Sequence, residues 1–241
     1  MEKAEQIQIR FQQAGFHLSD QQAGQFAAYA ALLVRWNEVM NLTSITDFDE
    51  IVEKHFLDSL ALGIQPVFSQ EVWNGNLVDV GTGAGFPGIP LKICFPNLKV
   101  TLMDSLNKRV NFLNQVIGEL GLKKIQAIHG RAEELAQNPA YREQYGLCVS
   151  RAVAALPILA EYCLPFVRKG GSFVAYKSGQ VEEELESGKK AIKVLGGSIQ
   201  KAEKFVLPGT ELSRSLIVIR KVDRTPQKYP RRAGTPAKQP L

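Results

Sequence analysis

Residues 77–91 read LVDVGTGAGFPGIPL. A short apolar run leads into a stretch that holds four glycines and two prolines, after which apolar residues resume. Such a run predicts a strand, a tight turn and the start of a helix, in which bare backbone approaches a ligand closely. The stretch contains Gly83-x-Gly85-x-x-Gly88, a spacing used by dinucleotide enzymes. It also contains Asp79-x-Gly81-x-Gly83-x-Gly85, which points to a different cofactor.

The chain around this stretch alternates apolar strands with helical segments. Alternation of this kind predicts an α/β fold with a parallel, doubly wound sheet whose carboxyl edge carries the ligand site. No helix separates the last two strands, so we expect them to pair as a closing hairpin, which gives a seven-stranded, mostly parallel sheet. Strands are predicted at 76–81, 99–105, 125–129, 147–153, 171–177, 198–206 and 214–221. Helices are predicted, among others, at 156–164 and 180–195.

The first 72 residues predict a helical extension. Ser19 and Gln22 form a capping box, and apolar residues then recur at three- and four-residue steps along one helix face. A second helix is predicted to begin at Asp49 and to run toward Leu62, before a linker that contains Pro66. The predicted buried face consists of Phe26, Tyr29, Leu33, Trp36 and Met40. We therefore divide the chain into an extension (1–72), a catalytic domain (73–222) and a tail (223–241).

Composition limits the class of protein. Apolar residues make up 45% of the 241 residues and charged residues 22%, which is typical of a globular chain. No run of about 18 apolar residues suggests a membrane span. The polar N-terminus has no apolar signal core, so we expect a cytoplasmic protein. The three cysteines and three histidines show no metal-ligand spacing, and no metal is expected.

The net charge of +5 is concentrated in the tail. Residues 220–241 hold seven basic residues and one acid. A basic tail with prolines and a tyrosine is typical of a segment that binds phosphates of a nucleic acid, although a solvated tail that keeps the protein soluble has the same composition. We predict RNA contacts from Lys228, Arg231 and Arg232, together with Lys177 at the end of the fifth strand.

Asp79 favours one of the two cofactors. A carboxylate at the end of the first strand repels the pyrophosphate of a dinucleotide, whereas it attracts the ammonium and sulfonium of S-adenosylmethionine. Asp104 ends the second strand, where it could accept from ribose hydroxyls of either cofactor or act only as a helix cap. Glu133 follows the third strand and could reach an adenine or only stabilise a helix dipole. The closing hairpin also leaves no second mononucleotide half.

Several segments resemble the RsmG (GidB) family of small-subunit ribosomal RNA guanine-N7 methyltransferases. The matching segments are DVGTGAGFPGIPL, MDSLNKRVNFL, HGRAEE, SRAVAALP and YPRRAGTPAKQPL, in this order. The resemblance implies a class I (Rossmann-like) methyltransferase that acts on 16S ribosomal RNA or the small ribosomal subunit with S-adenosylmethionine; we expect a monomer. It implies cofactor contacts at Gly81, Phe86, Ala132, Glu133 and Arg151, and in some relatives at Asp104, Ser105 and Leu106. The turn itself adds Asp79, Gly83 and Gly85.

Guanine N7 has a lone pair and no hydrogen, so we expect no general base and an acceleration dominated by positioning. Arg151 ends the fourth strand, where it could hold the guanine O6, a phosphate or the cofactor carboxylate, or pair with a structural acid. His55, Asp58 and Ser59 could face the same cleft. The alternatives are an RNA-binding protein with a degenerate cofactor site and a nicotinamide-dependent dehydrogenase.

Overall fold

The computed structural model describes residues 2–64, 70–179 and 181–241. Pro66 and Gln180, named above in a linker and at a helix start, lie outside these residues. The helices are α1 (Lys3–Gln13), α2 (Asp20–Met40), α3 (Phe48–Ile51), α4 (Ala61–Ile64), α5 (Gly88–Cys94), α6 (Asn107–Glu119), α7 (Ala132–Leu135), α8 (Leu156–Cys163), α9 (Glu182–Val194) and α10 (Thr235–Lys238). The strands are β1 (Asn76–Val80), β2 (Lys99–Asp104), β3 (Ile125–His129), β4 (Tyr145–Arg151), β5 (Val167–Ser178), β6 (Gly197–Val206) and β7 (Ser213–Lys221).

The strands form one sheet in the order β3-β2-β1-β4-β5-β7-β6. Strands β1 to β5 are parallel to one another, and β7 runs antiparallel between β5 and β6. The predicted seven-stranded, mostly parallel sheet is thus confirmed, as is the closing hairpin. Because β7 is reversed, its first residues lie at the edge where the parallel strands end.

Two apolar cores cover the two faces of the sheet. Successive strand residues alternate between them: Leu77 and Leu147 belong to one core, Val78 and Cys148 to the other. The first core also contains Phe26, Tyr29 and other residues of the N-terminal helices. The extension therefore packs directly on the sheet and shares its core.

The predicted face of α2 is confirmed. Phe26, Tyr29 and Leu33 are fully buried, and Trp36 and Met40 pack at its margin. Both hydrogen bonds of the predicted capping box, between Ser19 and Gln22, are present at the start of α2. The sequence pattern of this helix is local, so it can be recognised without knowledge of the fold.

Two elements differ from the prediction. β5 begins at Val167 rather than at residue 171, because the chain continues to pair with β4 through a register shift near Tyr145 and Leu147. The helix predicted from Asp49 toward Leu62 is interrupted: α3 passes into a π-helical turn, Val52–Leu57, and α4 follows as a separate turn. π-Helical turns are often found at functional sites, and this one carries His55.

Candidate cofactor and acceptor site

The glycine turn after β1 is held from below by Asp79. Its Oδ2 atom accepts hydrogen bonds from Thr82 Oγ1 at 2.7 Å and from the backbone N–H of Gly88 at 2.8 Å. Gly88 begins α5, so a protein carboxylate occupies the helix end where a dinucleotide phosphate binds in other enzymes. Burial raises the pKa of Asp79 to about 7, against the hydrogen bonds from Thr82 and Gly88. The other oxygen, Oδ1, is buried and has no partner among the described residues.

A first cavity of about 400 Å³ opens at the carboxyl ends of β1, β2 and β4. Gly81 lies at its floor with a φ of +70°, and a Cβ atom there would lie 2.6 Å from Val153 Cγ2. Only glycine allows this backbone to lie so close to the chain after β4. The cavity is lined by Val80, Gly81, Met103, Asp104, Ser105, Arg109, Gly130, Arg131, Ala132, Glu133, Ala152, Val153, Tyr162, Gly234 and Ala237.

Asp104 joins the end of β2 to the glycine turn. Its Oδ2 accepts from the N–H of Gly83 at 2.9 Å, its Oδ1 accepts from the N–H of Leu106 at 2.9 Å, and Arg109 lies at 3.4 Å. A carboxylate has about four acceptor positions, so these three contacts leave one position for a ligand. Asp104 thus shapes the turn and also borders the cavity.

A second cavity of about 510 Å³ lies beside the first, and Ala152 lines both. Ala152 has a φ of +57°, an uncommon conformation for a residue with a side chain. Strain of this kind is often found at functional sites. The second cavity is lined by Lys54, His55, Asp58, Arg151, Ala152, Tyr176, Lys177, Ser178, Glu184 and Arg214.

Two arginines share one carboxylate in the second cavity. Asp58 accepts from Arg151 Nη1 at 2.7 Å and from Arg214 Nε at 2.5 Å. The carboxylate is almost fully buried, and both guanidinium groups are mostly buried. Two positive charges thus face one negative charge, which leaves the cluster with a net charge of about +1 and with guanidinium N–H groups free to donate.

His55 supports Arg151 as a neutral ring. Burial and the nearby Arg151 charge lower the pKa of His55 to about 4. Nδ1 lies 3.4 Å from Arg151 Nη2, and since a guanidinium only donates, Nδ1 acts as the acceptor. Nε2 therefore carries the hydrogen toward Thr43 Oγ1, at 2.8 Å. The ring stacks on Phe86 at 4.5 Å between centroids, and Arg151 lies 5.1 Å from the same ring.

Several predicted cofactor residues border the first cavity, and others do not. Gly81, Asp104, Ser105, Ala132 and Glu133 line it, whereas the remaining predicted contacts have other surroundings. The latter are Asp79, buried below the turn; Gly83, whose Cβ position faces open space; Gly85, next to Tyr29 and Ile89; Phe86, packed under His55; Leu106, exposed; and Arg151, in the second cavity.

Asp79, Gly85 and Phe86, which were predicted to contact the cofactor, have contacts within the protein instead of lining the first cavity. Asp79 is fully buried and fixes the turn from within, rather than lining the cavity. A Cβ atom on Gly85 would meet Ile89 and the Tyr29 hydroxyl. The absence of a side chain here therefore allows Tyr29 of the extension to approach the turn. Phe86 packs against Tyr29, Phe56 and His55 and so connects the turn to the same extension.

The cations predicted to bind RNA also differ from one another. Arg231 donates to the buried carboxylate of Glu161, and Lys177 pairs with Glu184 at 2.5 Å, so neither presents an unpaired charge to a phosphate. Lys228 and Arg232 are exposed. Of the three residues expected at the cleft, His55 and Asp58 line the second cavity, whereas Ser59 is buried and donates to the His55 carbonyl.

Sequence reasoning missed Arg214. It lies opposite Ser178 in the pairing of β7 with β5, at the edge where the parallel strands end. An arginine before the apolar run SLIVI, in a strand predicted to close an antiparallel hairpin, was the available signal. Gly130, Arg131, Val153, Tyr162 and the tail residues Gly234 and Ala237 were also missed as lining residues of the first cavity.

This sheet order, with an antiparallel β7, a glycine turn after β1 and an acid at the end of β2, is the class I, Rossmann-like fold of S-adenosylmethionine-dependent methyltransferases. The family model described as "GidB: rRNA small subunit methyltransferase G" matches residues 22–216. The chain belongs to this family, and it is an S-adenosylmethionine-dependent methyltransferase.

Two relatives illustrate the extent of the similarity, and both are named Ribosomal RNA small subunit methyltransferase G. The protein of Alkaliphilus metalliredigens is 52% identical over 230 residues, which cover 95% of each chain. The protein of Lachnoclostridium phytofermentans is 54% identical over 228 residues, which cover 94% of this chain and 93% of that protein. The similarity therefore includes most of the extension and at least part of the tail.

Solved structures with low sequence identity share the fold. P. horikoshii TYW2, in complex with MeSAdo, is 14% identical and has a TM-score of 0.53 over 70% of this chain and 61% of that chain. The [4+2]-cyclase SpnF is 13% identical, with a TM-score of 0.53 over 73% of this chain and 83% of that one. Since one neighbour is named a cyclase, the fold alone does not define the reaction.

The residues of the first cavity fit S-adenosylmethionine. Gly81 keeps its backbone free of a side chain, and Asp104 brings an acceptor for hydroxyls. The volume lies within the usual range for small-molecule sites. Asp79, buried beneath the turn, accepts from the N–H of Gly88 at the start of α5 and so takes the place that a dinucleotide phosphate would need.

The described residues show two further features. Their helices are too short or too polar to cross a membrane. Within the same residues, no group of three or more His, Cys, Asp and Glu side chains could hold a metal ion.

Proposed function

We propose that this enzyme transfers the methyl group of S-adenosylmethionine to N7 of a guanine in 16S ribosomal RNA. The cofactor would occupy the first cavity and the guanine the second. The observation that carries this proposal is the junction at Ala152, where the cavity bordered by Asp104 meets the cavity that holds Arg151, Asp58 and Arg214. The names of the relatives support a substrate in the RNA of the small ribosomal subunit.

The donors of the second cavity suit guanine better than adenine. The Hoogsteen edge of guanine presents two acceptors, O6 and N7, whereas adenine presents the N6 amino donor beside N7. A guanidinium offers only donors. Arg151 would donate to O6 and leave the N7 lone pair directed at the methyl group, while an adenine would bring its amino group against the same N–H groups.

Asp58 reduces the electrostatic cost of methylation. Guanine N7 gains positive charge as the new bond forms, and two unbalanced guanidinium groups nearby would oppose that charge. Asp58 lies between Arg151 and Arg214 and neutralises one of them. The bound cofactor supplies an electrophilic methyl group on sulfur, and the residues of the chain hold the acceptor in line with it.

The proposal is tested with purified enzyme, labelled S-adenosylmethionine and small-subunit ribosomal RNA, both naked and in assembled particles. We expect label at one guanine, located by strand cleavage specific for N7-methylguanine. RNA that carries 7-deazaguanosine at that position lacks the acceptor atom and should remain unlabelled. Label on another base, or on the 7-deaza substrate, would contradict the proposed acceptor.

Arg151→Lys separates acceptor positioning from cofactor binding. Lysine keeps the charge but loses the planar fork. If Arg151 holds the acceptor, kcat should fall by about tenfold to a hundredfold, the equivalent of roughly 1.5–3 kcal/mol for a charged hydrogen bond. The affinity for S-adenosylhomocysteine should stay within about twofold, a change of only about 0.4 kcal/mol. If the variant instead lost affinity for S-adenosylhomocysteine, Arg151 would be assigned to binding of the cofactor.

A further inference from the structure

The end of the chain is anchored to the catalytic domain. We call residues 229–241 the C-terminal strap. Gln137 donates to the carbonyl of Pro230 at 2.9 Å, and Arg142 donates to the carbonyl of Tyr229 at 2.8 Å. Tyr229 is buried in the core beneath α8, and Pro230 is buried beside it. The basic tail is therefore fixed at Tyr229 and Pro230.

A buried ion pair fixes the next residue of the strap. The backbone N–H and the Nε of Arg231 donate to Glu161 Oε1 at 2.8 and 2.9 Å, and Nη2 donates to Oε2 at 2.6 Å. The Glu161 side chain is 0% exposed and the Arg231 side chain 24% exposed. Within the described chain, Glu161 takes all of its hydrogen bonds from Arg231. Loss of Arg231 would thus leave a buried charge unpaired.

The strap then reaches the first cavity. The N–H of Gly234 donates to Glu133 Oε1 at 2.9 Å, and both Gly234 and Ala237 line the cavity. Glu133 follows β3, one strand beyond Asp104, and in the proposed function Asp104 would accept from the ribose hydroxyls of the cofactor. The strap therefore borders the part of the cavity that lies beyond the ribose, where the adenine would bind.

We propose that the C-terminal strap forms the wall of the cofactor cavity at the adenine end, and that the Arg231–Glu161 pair holds this wall in place. Glu133 would then act by fixing Gly234 as well as by bordering the cavity. The two roles of this segment can be distinguished by substitution. If the segment only binds phosphates, substitutions in it should change the affinity for RNA alone. If it forms a wall of the cavity, they should change the affinity for the cofactor with no RNA present.

The test compares Ala237→Trp with Lys238→Trp. Both residues are exposed, but Ala237 lines the cavity and Lys238 does not. We expect Ala237→Trp to weaken calorimetric binding of S-adenosylhomocysteine by about tenfold or more, and Lys238→Trp to leave the affinity within about twofold. The melting temperatures of both variants without ligand serve as the folding control. Equal affinities of the two variants and the wild type would overturn the proposal.

A second comparison tests the ion pair through Arg231→Gln and Arg232→Gln. The two variants each remove one positive charge, and the two positions are adjacent in the chain. The side chain of Arg232 is exposed, so Arg232→Gln serves as the control. Arg231→Gln should weaken S-adenosylhomocysteine binding and speed tryptic cleavage after Arg232 and Lys238, whereas Arg232→Gln should leave the affinity unchanged. If Arg231→Gln unfolds the domain, the double variant Glu161→Gln/Arg231→Gln replaces it, because it leaves no buried charge.

Ligand protection completes the test in the wild-type protein. If the strap forms the wall of the cavity, saturating S-adenosylhomocysteine should slow tryptic cleavage at Lys238, since the ligand binds only the state in which the strap is in place. Identical cleavage rates with and without ligand would contradict the proposal. Because every measurement omits RNA, a negative result here leaves the proposed methyl acceptor intact.

Discussion

At the scale of single residues, His55 is a partly buried group whose charge state the fold controls. Burial and Arg151 lower its pKa to about 4. The unfolded chain binds a proton at about pH 6.5, whereas the folded chain does not. Stability that depends on a neutral His55 is therefore complete above that pH and is lost as the pH falls toward 4.

A titration of the His55 ring by NMR tests this assignment. We expect a midpoint near 4 in the wild type and a higher midpoint in Arg151→Met, because the repulsion from the guanidinium is removed. Arg35→Met, an exposed arginine that pairs with Glu119, is the control and should leave the midpoint unchanged. A wild-type midpoint near 6.5, typical of an exposed ring, would contradict the arrangement.

Asp104 shapes the glycine turn, and the sequence could not separate that role from the proposed contact with the ribose. Its position at the end of β2 was predictable from strand periodicity, but its bonds to Gly83 and Leu106 depend on how the turn folds back. Asp104→Ala would disturb the turn as well as the ligand. Asp104→Asn is the better variant, because its amide oxygen still accepts from one backbone N–H.

If Asp104 binds the ribose, Asp104→Asn should weaken S-adenosylhomocysteine binding by about tenfold to a hundredfold, the value of a charged hydrogen bond. The wild type should bind a 2′,3′-dideoxyribose analogue more weakly than S-adenosylhomocysteine, and the difference between the two ligands should be much smaller for the variant. Glu134→Gln, an exposed acid that does not line the cavity, is the matched control. Equal losses for the analogue on both backgrounds would make Asp104 purely structural.

At the scale of elements, local patterns were sufficient for most of the fold. The capping box and apolar face of α2 were correct, as was the glycine turn. The missed features are those that depend on distant partners. The π-helical turn that carries His55 toward Arg151 and the early start of β5 are set by tertiary packing, which periodicity does not record. The same reason explains why Arg214 was overlooked.

The contact between α2 and the glycine turn is the link that joins the extension to the site. The hydroxyl of Tyr29 donates to the carbonyl of Ala84, inside the turn. Tyr29→Phe removes this donor and leaves a buried carbonyl unpaired, so the free energy of unfolding should fall by about 1–3 kcal/mol. Chemical denaturation measures the change, with Tyr141→Phe, at a partly exposed site, as the control.

We expect the same Tyr29→Phe variant to bind S-adenosylhomocysteine less tightly, because Ala84 lies between Gly83 and Gly85. A variant with wild-type stability and affinity would show that α2 does not support the turn. Gly85 has no side chain, and this leaves room for the Tyr29 hydroxyl. The glycine is therefore required by the packing of α2 against the turn. Its spacing had suggested a ligand contact, because close approach of a helix and close approach of a cofactor require the same residue.

At the scale of the whole molecule, the distribution of charge needs a new interpretation. Residues 220–241 hold seven basic residues and one acid, a net charge of +6 against +5 for the whole chain, yet their cations serve different purposes. Arg231 forms an ion pair with the buried Glu161. Lys221 is fully buried and donates to Glu143 and to backbone carbonyls. A count of basic residues could not reveal this, since it does not distinguish a paired cation from an exposed one.

The exposed cations Lys228 and Arg232 remain our candidates for contact with RNA phosphates, and salt dependence tests them. If both bind phosphates, Lys228→Ala/Arg232→Ala should lower the slope of log K against log salt concentration by about 1.4–1.8. The affinity for S-adenosylhomocysteine should not change, because neither side chain lines the first cavity. Lys189→Ala/Lys190→Ala removes the same charge from exposed positions on α9 and should alter the slope less. An equal slope change in both double variants would indicate a general charge effect, and an unchanged slope would restrict the tail to its contact with the cofactor cavity.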